Sequence, residues 1–275
     1  MIWHTTRFAI DLTEPKVMGI VNVTPDSFSD GGQHFDVHSA LAHCEQLLSE
    51  GADMLDIGGE SSRPGAQAVS VDEELRRVLP VLEGALKLGC PVSLDSAKPE
   101  VMRAALAIGV DIVNDISALR APGALELVAA HPSCGVCLMH MQGEPRSMQS
   151  QPSYVDVVRE VGEFLNQRAT LLRQHGVAAE RIVIDPGIGF GKTVAHNVAL
   201  LQGQAALLQW GYPLLVGWSR KSSLGALTGR PAGERVAASV AAALAAVQRG
   251  AHVVRVHDVA ATVDALEVWR AAGLP

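Results

Sequence analysis

The chain has 275 residues, which is close to the roughly 250 that one barrel of eight strand-helix units typically needs. Apolar residues make up 48% of it and charged residues 19%, so the composition excludes a disordered, fibrous or collagen-like protein. The net charge of −7 provides no basic surface for a nucleic-acid backbone and excludes nucleic acid as the main partner. We expect one globular domain spanning residues 1–275.

Cysteine usage and hydropathy indicate the compartment. Four cysteines over this length are too sparse for a disulfide framework and favour a reducing cytosol. Residues 1–11 contain no apolar segment of the signal-peptide type, and the longest nearly apolar run, 236–247, is too short to span a bilayer. We therefore expect a cytoplasmic protein with no membrane partner.

One pattern recurs along the chain: a helical segment ends at a glycine and a short apolar run follows. Glycine is the residue that best adopts the left-handed conformation after the last helical turn. The junction glycines are Gly51, Gly89, Gly109, Gly176, Gly211 and Gly250. The predicted strands are 17–23, 54–57, 92–94, 112–113, 135–139, 182–184, 214–216 and 253–256.

Segments with helical spacing lie between these strands. The clearest is 154–175, where apolar residues recur at three- and four-residue steps and Ser153 with Asp156 forms a capping-box pattern. Pro99 and Gly109 bracket another helix. Short apolar strands alternating with helices predict a parallel sheet covered by helices. Eight such units predict a closed (β/α)₈ TIM barrel, with a doubly wound open sheet as the alternative.

Polar residues follow every predicted strand. Barrel enzymes build their sites from the loops at the C-terminal ends of the strands, so these residues form the candidate site. They are Asn22, Asp56, Glu60, Ser61, Ser62, Arg63, Asp95, Asn114, Asp115, His140, Asp185, Ser219, Arg220, Lys221, Ser222, Arg255 and His257. Polar residues also mark where any strand leaves a core. That explanation covers one or two positions but not a full circle of them.

The residue types indicate what such a site binds. Asp95, Asn114 and Asp185 suit a flat heterocycle that presents adjacent N–H groups, although two converging carboxylates would also suit a metal or acid-base catalysis. The planar guanidinium of Arg255 can stack on a ring while it reaches an anion. Arg255 and His257 alternate along a strand and therefore share a face, where serine hydroxyls would help to bind phosphate oxygens. The set predicts a pocket for a polar ring at one end and a phosphorylated group at the other.

Three local patterns invite other interpretations. The glycine-rich stretch 187–193 resembles a phosphate loop, but Pro186 stands where that motif needs glycine, so we predict a mobile loop carrying Phe190. Cys134 and Cys137 lack a second cysteine pair, and Cys137 falls inside a predicted strand, which indicates a core residue rather than a zinc site. His140 is interpreted as a structural histidine near the rim.

Several segments together resemble the signature motifs of the dihydropteroate synthase family. In chain order they are 18–32, 58–65, 95–96, 113–116, 138–143, 185–192, 219–222 and 255–258. They cover nearly the whole chain, and their joint occurrence is highly specific. Ser62 stands where many family members have threonine, a change that keeps the hydroxyl.

The resemblance implies a barrel that joins 6-hydroxymethyl-7,8-dihydropterin diphosphate to 4-aminobenzoate and releases diphosphate, a step of folate synthesis. It further implies Mg²⁺ as cofactor, sulfonamides as competitors and a homodimer. The main alternative is a barrel that transfers a methyl group from methyltetrahydrofolate to a corrinoid. A methyl carrier has no diphosphate to bind, so Lys221, Arg255 and His257 argue against it. A second alternative is a pterin-binding subunit without activity, and the presence of Asn22, Asp185, Lys221, Arg255 and His257 argues against it.

The resemblance also assigns roles to individual residues. Asp95, Asn114, Met139, Asp185, Lys221 and Arg255 are implied to bind the pterin, with Asp95, Asp185, Lys221 and Arg255 as the catalytic set. Asn22, Ser61, Ser62, Arg255 and His257 are implied to bind the diphosphate, with Asn22 as the Mg²⁺ ligand. Phe28, Arg63, Pro64, Phe190, Lys221 and Ser222 are implied to bind aminobenzoate.

Two further expectations concern loops and assembly. The segments 26–32 and 61–66 are rich in Gly, Pro and Ser, so we expect them to close over bound substrate and to be mobile when the site is empty. The Ala-rich segment 236–247 has few polar residues on any face, which suits a helix buried against another subunit or within the chain itself.

Overall fold

The computed structural model describes residues 1–24, 37–61 and 65–273. Its strands are β1 (Ile2–His4), β2 (Ala9–Asp11), β3 (Lys16–Asn22), β4 (Met54–Gly58), β5 (Val92–Asp95), β6 (Ile112–Asp115), β7 (Gly135–Met139), β8 (Ile182–Asp185), β9 (Leu215–Val216) and β10 (Val253–Val256). The last eight strands form one parallel sheet in the order β8-β7-β6-β5-β4-β3-β10-β9. A parallel bridge between Ile184 and Leu214 links the two ends of this order, so the sheet is a barrel. The predicted TIM barrel is confirmed and the open-sheet alternative is wrong.

Helices connect the strands and cover the outside of the barrel. They are α1 (Val37–Ser49), α2 (Val71–Ala85), α3 (Pro99–Ala107), α4 (Ala124–Ala130), α5 (Val157–Gln174), α6 (Val194–Gln202), α7 (Ser222–Thr228), α8 (Val236–Val247) and α9 (Val259–Ala271). All six junction glycines have positive φ angles, as the sequence predicts. Among the helices in the described ranges, none combines the length and the apolar character needed to cross a bilayer.

Helix α5 begins three residues later than predicted. Its cap is Asp156, whose carboxylate accepts the backbone N–H of Arg159 at 3.1 Å. Ser153 is not the cap, because its backbone N–H and C=O are both bonded to the side-chain amide of Gln142. The predicted capping box at Ser153 is therefore wrong.

The inside of the barrel is divided into an apolar layer and a polar layer. At the N-terminal end of the strands, the inward side chains form a small apolar cluster that includes Met54, Ile112, Val183 and Val253. Two residues further along the same strands, the inward positions are Asp56, Asn114, Asp185 and Arg255. Side chains two apart in a strand point to the same face, so each strand changes from apolar to polar as it approaches its C-terminal end.

A short hairpin closes the N-terminal end of the barrel. Strands β1 and β2 pair antiparallel and place Trp3, Ile10 and Leu12 in the apolar layer. Trp3 is fully buried, and its indole N–H donates to the carbonyl of Arg181 at 3.0 Å. The strand and helix patterns in the sequence did not reveal this hairpin.

All four cysteines are buried and unpaired. Cys137 lies inside the barrel and the other three lie among the side chains outside it, so the predicted core role of Cys137 is confirmed. Burial raises the pKa of Cys44 to about 12 and that of Cys90 to about 11. These thiols are therefore protonated at neutral pH.

Candidate active site

A cavity of about 420 Å³ opens at the C-terminal end of the strands. The residues that the resemblance assigns to the site and that lie within the described ranges all line it: Asn22, Ser61, Asp95, Asn114, Met139, Asp185, Phe190, Lys221, Ser222, Arg255 and His257. Of the other polar residues that follow the strands, Glu60, Ser219 and Arg220 line it as well, whereas Asp56, Asp115 and His140 do not. The remaining predicted contacts, Phe28, Ser62, Arg63 and Pro64, lie outside those ranges, as do most of the two loops expected to close over substrate. The structure thus brings together residues from all eight strand ends of the barrel.

Arg255 lies at the centre of the polar layer between two carboxylates. Its Nε donates to Asp56 Oδ2 at 2.6 Å, and its Nη2 donates to Asp95 Oδ2 at 2.7 Å. The same Asp56 oxygen accepts the side-chain N–H of Asn114 at 3.1 Å. Asp56 is fully buried beneath the cavity, so it orients two cavity residues without lining the cavity itself.

The acidic groups of the site hold their protons more tightly than free carboxyls do. Burial raises the pKa of Asp95 to about 7, and the negative charge of Asp56 adds to this shift while Arg255 opposes it. Burial likewise raises the pKa of Asp185 to about 6, although the backbone N–H of Gly187 stabilises its carboxylate at 2.7 Å. Both groups can therefore change protonation near neutral pH.

Small polar side chains surround the opposite end of the cavity. The hydroxyl of Ser219 lies 2.9 Å from His257 Nδ1 and accepts the backbone N–H of His257 at 3.1 Å. Asn22 ends β3 and presents an amide oxygen, a ligand type that Mg²⁺ accepts. No group of three or more His, Cys, Asp or Glu side chains that could hold a metal occurs in the described parts of the chain. Mg²⁺ keeps water ligands and shares substrate phosphates, so one amide is compatible with it.

A third region of the cavity is formed by the loops after β8 and β9. Lys221 Nζ lies 4.2 Å from the centre of the Phe190 ring, and Ser222 begins α7 beside it. Arg220 has a φ of 56° and pairs with Asp258, Nη2 to Oδ1, at 2.5 Å. A left-handed backbone is costly for an arginine, so this ion pair stabilises the turn that carries Lys221 and Ser222.

The glycine-rich loop 187–191 packs tightly on the residues that follow β7. The Lys192 ammonium group is buried beneath this loop and lies 2.9 Å from His140 Nδ1 and 3.0 Å from the carbonyl oxygens of both Gly187 and Phe190. Burial lowers the pKa of Lys192 to about 7, and burial together with Lys192 lowers the pKa of His140 to about 2. His140 is buried outside the cavity lining, in agreement with its predicted structural role.

Three supporting residues were not assigned a role from the sequence: Asp56, Lys192 and Asn197. Asp56 is among the polar residues that follow the predicted strands, but its inward orientation, on the same face as Met54 two residues earlier, is seen only in the structure. Lys192 was considered only as part of a nucleotide-binding motif. Asn197 lies on a helix, away from any strand end, and carries no local signal for its position.

The chain was compared with known proteins once this geometry was established. A family model described as "Pterin binding enzyme" matches residues 18–257. Dihydropteroate synthase of Neisseria meningitidis serogroup B is 54% identical over 279 aligned positions, which cover 99% of this chain and 98% of that protein.

Solved structures agree with this match over nearly the whole chain. Dihydropteroate synthase of Xanthomonas albilineans with 4-aminobenzoic acid has a TM-score of 0.91 and 55% identity, covering 97% of this chain and 96% of that chain. The same enzyme with 7,8-dihydropteroate has a TM-score of 0.88 and 52% identity, with 97% of each chain covered. The Yersinia pestis synthase with a sulfonamide drug has a TM-score of 0.93 and 45% identity, with 99% of each chain covered. This chain therefore belongs to the pterin-binding enzyme family and, within it, to the dihydropteroate synthases.

Proposed function

We propose that this chain condenses 6-hydroxymethyl-7,8-dihydropterin diphosphate with 4-aminobenzoate in the cavity at the C-terminal end of the barrel. The products are 7,8-dihydropteroate and diphosphate. The observation that carries the proposal is the arrangement around Arg255, where a cation, an amide and several carboxyls meet at one mouth of the barrel. A corrinoid methyltransferase would have no use for the cationic and hydroxyl groups at the diphosphate end.

The pterin occupies the polar layer. Asp95, Asn114 and Asp185 accept hydrogen bonds from the N–H groups at the edge of the pterin, and the amide of Asn114 also donates. Lys221 donates to the acceptor atoms of the ring. Arg255 lies over the ring face, and Met139 supplies an apolar wall beside Asp185.

The diphosphate lies at the end lined by Ser61 and His257. Arg255 reaches it from the polar layer, and charge-assisted hydrogen bonds from a guanidinium to phosphate oxygens are among the strongest available in a protein. Asn22 would hold Mg²⁺, which neutralises charge on the diphosphate when it is bound. Because the protein contributes one amide ligand, we expect metal affinity to depend on the diphosphate.

Aminobenzoate lies against Phe190, Lys221 and Ser222. Its ring packs on Phe190, and its carboxylate lies near Ser222 and the cationic side chain of Lys221. A sulfonamide with the same aniline ring would compete for this region, and the Yersinia pestis relative binds a sulfonamide drug.

The reaction needs no protein nucleophile. The C–O bond between the pterin methylene carbon and the diphosphate breaks, the electron-rich pterin ring stabilises the developing positive charge, and the aniline nitrogen forms the new C–N bond and loses a proton. The residues of the chain bind, orient and stabilise charge. Arg255 contributes most, because it contacts both the ring and the leaving group.

We also propose a cytoplasmic homodimer. Four unpaired thiols suit a reducing compartment. Three consecutive helices leave apolar side chains exposed: Leu227 on α7, Ala241 on α8 and Val268 on α9. Light scattering of the purified protein would test the dimer, and a monomeric mass at micromolar concentration would contradict it.

The activity is tested by incubating the purified protein with both substrates and Mg²⁺ and measuring dihydropteroate and diphosphate. We expect the two products in equal amounts and their loss when Mg²⁺ is chelated. Arg255→Ala should abolish turnover with the fold intact. Arg270→Ala, which removes two exposed ion pairs near the end of α9, should leave turnover unchanged. Absence of dihydropteroate from the unaltered protein would overturn the proposal.

A further inference from the structure

Among the described residues, two different loops contribute to the aminobenzoate end of the cavity. Phe190 comes from the loop after β8, whereas Ser222 begins α7 after β9. Lys221 contacts the Phe190 ring, but its ammonium group binds substrate in the proposed function. Lys221 therefore cannot hold the two loops at a fixed distance. The width of this part of the cavity depends on other contacts between the loops.

The side chain of Asn197 joins these two loops from behind. Its Oδ1 accepts the backbone N–H of Gly189 at 2.9 Å, next to Phe190. Its Nδ2 donates to the hydroxyl of Ser223 at 2.9 Å, next to Ser222. Helix α6, which carries Asn197, therefore ties the residues behind both walls together through one planar amide.

This bridge is isolated from solvent. Asn197 is 1% exposed and Ser223 is 2% exposed, and neither lines the cavity. No bulk water competes for the two hydrogen bonds, and a buried donor or acceptor left without a partner is costly. The amide therefore favours one spacing between the loops over all others.

We propose that Asn197 is a positioning residue for aminobenzoate, which sets the distance between the Phe190 wall and the Ser222 wall. The inference rests on the proposed placement of aminobenzoate between those walls. Asn197 acts through the loops and does not contact substrate. A change at Asn197 should therefore alter binding of aminobenzoate while the pterin, held by the polar layer, binds as before.

The test compares KM values for the two substrates. Asn197→Leu keeps the branched shape and the number of heavy atoms of the side chain and removes both hydrogen bonds, so we expect KM for 4-aminobenzoate to rise about tenfold and KM for the pterin diphosphate to stay within about twofold. Ser223→Ala breaks the same bridge from its other end and should raise KM for 4-aminobenzoate several-fold. Because both changes break the same bridge, KM for 4-aminobenzoate in the double variant should not exceed that of Asn197→Leu alone.

Gln204→Leu provides the matched control. Gln204 is a second amide buried to 1% exposure, and it donates to the carbonyl of Ala246 at 2.8 Å, away from the cavity. We expect this variant to lower the melting temperature as Asn197→Leu does, with both KM values unchanged. Should Asn197→Leu fail to fold, the milder Ser223→Ala decides the question by the same KM comparison.

Ser222→Ala separates failure of the inference from failure of the proposed function. If Ser222→Ala raises KM for 4-aminobenzoate but the Asn197 and Ser223 variants do not, Asn197 is not a positioning residue and the substrate placement stands. If none of the three variants changes that KM, the placement itself is wrong. Equal increases of both KM values in the Asn197 and Ser223 variants would also overturn the inference.

Discussion

Arg255 shares its positive charge between Asp56 and Asp95. Asp56 is fully buried and bonded to both Arg255 and Asn114, whereas Asp95 faces the cavity. Burial raises the pKa of Asp95 to about 7, the positive charge of Arg255 opposes this shift, and the negative charge of Asp56 adds to it. The carboxyl group of Asp95, which faces substrate, therefore gains a proton near neutral pH.

We expect pterin affinity to fall on acidification. The pKa of Asp95 is about 7 and that of Asp185 about 6, so both carboxylates lose their charge as the pH falls from 8 to 5. A protonated carboxyl accepts hydrogen bonds from pterin N–H groups poorly, and affinity should decrease by at least about tenfold between pH 7 and pH 5. Calorimetric titration with a pterin across this range measures the effect. Constant affinity would contradict the roles given to both residues.

Asp56→Asn should move this pH dependence to lower pH. The substitution removes a negative charge that raises the pKa of Asp95 and leaves Arg255 paired with Asp95 alone, and both effects lower that pKa. We expect the midpoint of the affinity profile to fall by about one pH unit. Asp111→Asn breaks a comparable ion pair, with Arg7, outside the cavity lining, and should leave the midpoint in place. An unchanged midpoint in Asp56→Asn would show that Asp56 does not act on Asp95.

At this scale the sequence predicted which residues meet but not how they contact each other. The polar residues that end the strands could be identified because a parallel barrel brings all those ends to one mouth. The bond between Arg255 and Asp56 could not be identified. It depends on the inward orientation of both side chains and on two registers, that of β10 beside β3 and that of β3 beside β4. Phe28, Ser62, Arg63 and Pro64 remain predictions, since they lie outside the described residues.

Among the elements, the loops after β7 and β8 approach each other backbone to backbone. A Cβ atom on Gly191 would lie 2.3 Å from the carbonyl oxygen of Gln142, and one on Gly187 would lie 1.9 Å from that of His140. Both distances are far below van der Waals contact and involve main chain that cannot rotate away. The two loops therefore pack as one layer, which Lys192 stabilises from beneath.

Gly191→Ala should disrupt this layer. The new methyl group collides with the Gln142 carbonyl in addition to the cost of a left-handed backbone, so we expect a loss of about 3 kcal/mol or more in the free energy of unfolding. Gly211 has a similar φ, but no atom lies within 4 Å of a Cβ added there. Gly211→Ala should therefore lower the free energy of unfolding by only about 1 to 2 kcal/mol. Denaturant unfolding of both variants makes the comparison. Equal losses of stability in the two variants would mean that the loops after β7 and β8 can move apart at no cost in free energy.

Six of the eight barrel strands were predictable because each is a short apolar run that follows a helix-ending glycine, and the other two, β3 and β7, are short apolar runs of the same kind. The start of α5 was not, because Ser153 is bonded to Gln142, 11 residues earlier in the same loop, and leaves Asp156 to cap the helix. Sequence periodicity carries no information on such a contact. Local pattern therefore predicted the order of the elements better than their ends.

For the molecule as a whole, the β1–β2 hairpin completes the barrel core. Trp3→Ala should lower the free energy of unfolding by about 3 to 5 kcal/mol, because it removes a fully buried indole from the apolar layer. Both KM values should stay unchanged, since the hairpin closes the end of the barrel opposite the cavity. Ile2→Ala, at an exposed position of the same strand, should change stability by less than about 0.5 kcal/mol. Altered KM values in Trp3→Ala would show that the two ends of the barrel are coupled.

The hairpin also shows where whole-molecule prediction from sequence stops. Its strands have three residues each, and in each strand only the middle residue is buried. A single inward side chain per strand forms no periodic pattern. The barrel could be inferred from the repeated strand-helix units. The covering of its N-terminal end could not, because it depends on one buried side chain from each strand of the hairpin.

The burial of all four thiols makes the protein a convenient host for spectroscopic probes. Maleimide and methanethiosulfonate reagents attack accessible thiolates, and these cysteines are both buried and protonated. A single cysteine introduced on the outer surface could then be labelled selectively in the folded protein, with every native cysteine left in place. Distances between two such labels would follow movements around the mouth of the barrel during turnover.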